Sequence, residues 1–77
     1  MTLNILNKIN RAAFEMGQET KHNVMVDYYS ATNNVCVTVW KNGNIEDREV
    51  MNSIHMKPET ILFKLLSLLN EGKEIAA

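Results

Sequence analysis

Residues 23–53, NVMVDYYSATNNVCVTVWKNGNIEDREVMNS, decide the fold of this 77-residue chain. Val24 to Ser30 is rich in β-branched and aromatic residues, as is Val35 to Lys41; such side chains fit a pleated, half-buried surface. Thr32-Asn33-Asn34 separates the two runs, and Asn tolerates the positive φ that tight turns need. Asn42-Gly43 is the strongest hairpin signal in the chain, and residues 44–51 return after it as a weaker third strand. The stretch therefore predicts a three-stranded antiparallel meander.

A two-residue Asn33-Asn34 turn pairs Tyr28 with Val39. Because strand side chains alternate between faces, Val24, Val26, Tyr28, Val35, Val37 and Val39 then share one side. Met25, Asp27, Tyr29, Cys36, Thr38 and Trp40 share the other. A two-residue Asn42-Gly43 turn sets Trp40 opposite Ile45, but it also places Glu46 and Arg48 on the valine side. That misfit calls either for a bulge that shifts the register or for a polar edge strand whose charges discourage sheet-to-sheet aggregation.

Outward from the meander, each end of the chain reads as one helix. Thr2 can cap the first, and Ile5, Leu6, Ile9, Ala12, Ala13 and Met16 fall on one arc at about 100° per residue. Lys8, Arg11, Glu15 and Gln18 lie opposite, and Gly17 is placed to end the helix. Leu3 and Phe14 share a second bearing off the main stripe. Pro58 opens the last helix where its missing N–H costs nothing, and Glu59 complements the helix dipole. Ile61, Leu62, Leu65, Leu66, Leu68 and Leu69 form its apolar arc, Phe63 points away from it, and Gly72 is the expected stop. The expected fold is a single α+β domain over residues 1–77, a two-layer α-β-β-β-α arrangement with both helices packed on the valine face.

Eight Lys and Arg against nine Asp and Glu give a net charge of −1, and the basic residues are scattered. A nucleic-acid binder usually shows a basic excess or stripe. Cys36 is the sole cysteine, which rules out an intramolecular disulfide and a Cys-rich zinc site and suits a reducing compartment. The N-terminal residues lack the basic region and continuous apolar run of a signal peptide. The apolar clusters near Ile61 and Leu68 are too short to span a bilayer. A soluble, cytoplasmic protein without a membrane association is expected.

Catalytic chemistry finds no foothold. His22, His55 and Cys36 show no metal-ligand spacing; no cofactor and no metal are expected. Cys36 lies mid-strand, where a thiol ordinarily packs, although a Cys36–His55 nucleophilic pair is conceivable. Glu46 and Asp47 are strand neighbours and point to opposite faces, so they cannot flank one substrate atom. No Gly-rich phosphate loop is present, and the serines have no nucleophile context.

The second face of the sheet is the surface that stands out. Met25, Tyr29, Trp40 and Ile45 are expected to lie together there with Cys36, and Phe63 to flank them. Two helices in so short a chain cover only one face, and Trp, Tyr and Met are enriched in interface cores. Against this stands the plain alternative that an open antiparallel face tolerates some apolar residues. Stacking of bases on Tyr29 and Trp40 lacks neighbouring cations.

The α-β-β-β-α order resembles that of double-stranded RNA-binding domains, which are of similar length. In that family a lysine cluster at the start of the last helix reads phosphates. The matching positions here, Lys57-Pro58-Glu59-Thr60, hold one lysine and one acid, so the layout carries over and the lysine cluster does not. The small size, the Asn-rich composition (ten Asn in the chain) and the lack of catalytic residues are also similar to small phage proteins, among them anti-CRISPR and other anti-defence inhibitors, which act by binding. The expectation is a non-enzymatic protein-interaction module, an adaptor or an inhibitor of a bacterial host protein, working as a homodimer. A nucleic-acid-binding regulator is the alternative.

Overall fold

A computed structural model describes residues 1–76, with side chains described through Glu74. The elements run α1 (Leu3–Glu19), β1 (Asn23–Tyr29), β2 (Asn34–Trp40), a 3-10 turn (Lys41–Gly43), β3 (Arg48–Asn52) and α2 (Pro58–Ala76). The strands form an antiparallel sheet in the order β1-β2-β3. One core cluster joins Ile9, Ala12 and Met16 of α1, Val35, Val37 and Val39 of β2, Met51 of β3, and Ile61, Leu65, Leu68 and Leu69 of α2. Both helices thus bury their apolar stripes against the valine side, as the two-layer α+β expectation requires. The Cα envelope is only 16 Å along its short axis, the thickness of one helical layer on one sheet.

The first hairpin keeps its faces but not its turn. Tyr28 pairs with Val35, not Val39. Only Asn33 takes positive φ, at 52°, whereas a two-residue type I′ turn at Asn33-Asn34 needs it at both positions. Ser30–Asn33 instead forms a four-residue loop, with Asn33 N–H donating to the Ser30 carbonyl. The Tyr28 hydroxyl donates to Asn33 Oδ1 at 2.8 Å, and Asn33 Nδ2 donates to the Met1 carbonyl at 2.9 Å. That triad ties the loop to the start of α1. The pairing is displaced by an even number of residues, so every side chain stays on its expected face.

The second hairpin behaves in the opposite way. The Asn42-Gly43 turn forms as expected, with φ of 55° and 72° and Asn44 N–H donating to Lys41 O. The chain then makes a second turn, in which Asp47 N–H donates to Asn44 O, and rejoins the ladder where Lys41 N–H donates to Asp47 O. The strand therefore starts at Arg48 rather than Asn44, and Trp40 faces Arg48, not Ile45. This displacement is odd and flips the strand. Met51 enters the core fully buried, and Arg48 turns to the open side. The expected misfit of charges on the valine side is relieved by the loop, with only Glu49 left there, at the sheet margin.

The helix ends also differ from expectation. Thr2 caps α1 through Oγ1, which accepts from Ile5 N–H at 3.3 Å. Gly17 does not stop the helix, which continues to Glu19 and ends on Thr20 in extended conformation. Gly72 does not stop α2 either. It is buried, and a Cβ there would stand 2.6 Å from Thr20 Cγ2 and 2.8 Å from Thr20 Cβ. At Gly72 α2 lies against Thr20 and His22 of the α1–β1 connection; contact, not conformation, calls for glycine there.

Candidate interaction surface

Alternation along the observed register fixes the open face rung by rung. Asn23, Trp40 and Arg48 form one rung, and Met25, Thr38 and Val50 the next. Asp27, Cys36 and Asn52 form a third, and Tyr29 pairs with Asn34. Among the described residues no helix covers this side, since both are spent on the valine side. Met25, Tyr29 and Val50 are exposed, and Trp40 and Cys36 are half-buried. Thr38 is 7% exposed although no second layer of the described residues lies over it; Met25 and Val50 flank it in the rung. The face thus presents an apolar centre and a single charge of each sign, Asp27 on β1 and Arg48 on β3.

Three of the expected surface residues, Met25, Tyr29 and Trp40, share this face, with Trp40 and Tyr29 at opposite ends of the β1–β2 ladder. Ile45 does not join them. It lies in the β2–β3 loop, 81% exposed, because the second turn removes residues 44–47 from the ladder. Arg48 stands opposite Trp40 where Ile45 was expected, and Val50, opposite Thr38, is the apolar residue that β3 gives to this face. Only the core demand for Met51 could have revealed that exchange from sequence, since it selects the odd displacement. Phe63 is exposed, as its bearing predicts, but it cannot flank the open face. At about 100° per residue it lies roughly 170° from the mean of Ile61, Leu65, Leu68 and Leu69. It therefore points outward from the helical layer, with the sheet between it and Met25.

The groups considered for catalysis stay apart. His22 is buried, and its Nδ1 accepts from Asn42 N–H at 2.8 Å; the backbone N–H of His22 donates to Thr20 Oγ1. It braces the Asn42-Gly43 turn against the end of α1. His55 is exposed in the β3–α2 connection, and Cys36 is half-buried on the open face. Among the described residues no cluster of three or more His, Cys, Asp or Glu could hold a metal ion. A groove of about 160 Å³ between the helices is lined by Lys8, Arg11, Ala12, Glu15, Leu62 and Leu66. It holds no nucleophile and no buried polar group aimed inward. Among the described residues no helix is long and apolar enough to cross a membrane. Compared with known proteins, the chain matches no family model, no curated protein and no solved structure.

Proposed function

We propose that this chain is a small non-enzymatic protein-interaction module, an adaptor or inhibitor that works as a homodimer and binds another protein through the open sheet face. One observation carries the proposal: an uncovered antiparallel face with Met25, Thr38 and Val50 across its centre and Trp40 and Tyr29 at its ends. Aromatic and Met side chains beside a near-neutral charge pattern are what a protein partner desolvates at low cost. Phosphate binding asks for clustered cations, and this face offers Arg48 alone. A bacterial host protein is the partner that the small size and Asn-rich composition favour.

The test is affinity capture from bacterial lysate with the wild-type chain and with Trp40→Glu immobilised in parallel. A protein retained by the wild type and lost from the folded variant supports the proposal. Identical retention on both, with the variant's circular dichroism unchanged, removes the open face from the binding site. A gel shift whose strength falls steeply with salt would transfer the chain to the nucleic-acid class.

A further inference from the structure

The two charges of the open face stand alone within the chain. The ion pairs among the described residues join Arg11 to Glu15, Lys41 and Lys64 to Glu49, and Lys73 to Glu19; Asp27 and Arg48 belong to none of them. Asp27 is half-buried and Arg48 exposed. A layer laid over this face takes both charges out of water, which is costly unless it brings a cation to Asp27 and an anion to Arg48.

Their places on the sheet are related through one residue. Asp27 lies on β1, one rung from Thr38 toward the Cys36 end; Arg48 lies on β3, one rung from Thr38 toward the Trp40 end. With strands about 4.8 Å apart and about 3.3 Å per residue, each Cα is about 8 Å from that of Thr38, on opposite sides. The two are therefore about 16 Å apart, too far to pair with each other. Their midpoint is Thr38, which is also the middle of the apolar Met25–Thr38–Val50 rung.

We infer that the open face is covered by a second copy of this chain, on a two-fold axis through Thr38 at right angles to the Asp27–Arg48 diagonal. The inference rests on the homodimer reading above and gives the second copy its place. In a two-fold interface, if one residue meets another, the second meets the first in turn. On this axis Arg48 meets the partner's Asp27 and Asp27 meets the partner's Arg48, so one operation satisfies all four charges. The two-fold axis along the diagonal sets like charge on like and is disfavoured by repulsion. An unrelated partner needs an anion and a cation about 16 Å apart around an apolar centre; this chain already presents them.

The same operation matches the apolar residues. It carries Trp40 over the partner's Met25, a favourable contact of sulfur with an aromatic ring, and Cys36 over the partner's Val50. The long Arg48 side chain and the short Asp27 side chain together bridge the roughly 10 Å between packed sheets. Strands of the two sheets cross at roughly 70°, closer to orthogonal than to aligned sheet packing. The overlap takes three rungs of three residues from each copy, fewer than the roughly 20–30 residues a side of a standard interface, so association in the micromolar range or weaker is expected. Tyr29 lies beyond the overlap and stays accessible to a further protein.

Sedimentation equilibrium from micromolar to millimolar concentration tests this on wild type, Asp27→Arg, Arg48→Asp and the double variant Asp27→Arg/Arg48→Asp, each checked for folding by circular dichroism. Each single exchange opposes like charges in both pairs; the double exchange restores opposite ones. The expected result is a wild-type dimer, association at least about tenfold weaker in each single variant, and recovery in the double variant. Recovery reports contact between chains, because the two positions do not meet within one chain. Equal association in all four chains overturns the face assignment and leaves the homodimer reading intact. Loss in the single variants without recovery in the double overturns the two-fold axis through Thr38. A wild-type monomer at every concentration overturns both the inference and the homodimer reading.

Discussion

At the scale of single residues, two helical glycines respond to the same substitution with opposite signs. Gly17 is exposed within α1, with nothing within 4 Å of an added Cβ, and its left-handed freedom is unused. Gly17→Ala is expected to stabilise the fold by about 0.5–1 kcal/mol, the helix-propensity gain. Gly72→Ala gains the same propensity but drives its Cβ into Thr20. Thr20 cannot turn away, because its Oγ1 donates to Met16 O at 2.6 Å and accepts from His22 N–H. A net loss of about 1–2 kcal/mol is expected, in the range of core overpacking. Urea denaturation of the two variants at one low protein concentration checks both signs.

At the scale of elements, β3 is held by its loop and by Met51 far more than by its charges. Glu49 lies 3.9 Å from both Lys41 and Lys64, with all three side chains about a third or more exposed. Exposed pairs at such distances contribute little. Glu49→Gln is expected to change stability by less than about 0.5 kcal/mol, and a loss above about 1.5 kcal/mol in thermal or urea unfolding would show that the bridge anchors α2 to the sheet edge. Ser53 is different in kind. Its Oγ accepts from Val35 N–H and donates to Asn34 Oδ1, both at 2.8 Å, closing the end of the β2–β3 ladder. Ser53→Ala leaves two partly buried groups unpaired, and a loss of about 1–2 kcal/mol is expected, with the slope of unfolding against urea unchanged.

At the scale of the whole molecule, one cluster of side chains supports all five helices and strands, and its reserve is small. A domain of this length is expected to hold roughly 4–11 kcal/mol of stability. Leu65 is fully buried at the centre of α2, and Leu65→Ala is expected to remove about 2–5 kcal/mol. The variant should unfold at a far lower urea concentration at every probe together, since the described residues form one core cluster.

The element order, the two-layer class and the faces of β1 and β2 were legible in the sequence by itself. Alternation is a local property, and the Tyr28–Val35 pairing differs from a two-residue turn by an even step that leaves every face in place. The exposure of Phe14 and Phe63 followed from helical periodicity in the same way. What only the tertiary structure decided are the places where two distant segments compete for one space. The odd displacement that exchanges Ile45 for Val50 on the open face is set by Met51 filling the core beneath α1 and α2. Gly72 is dictated by Thr20, fifty-two positions away in the chain, and His22 is buried because the Asn42 turn comes back to it. Periodicity records which side of an element turns inward; the length of a loop and the reason for a glycine depend on what meets it there.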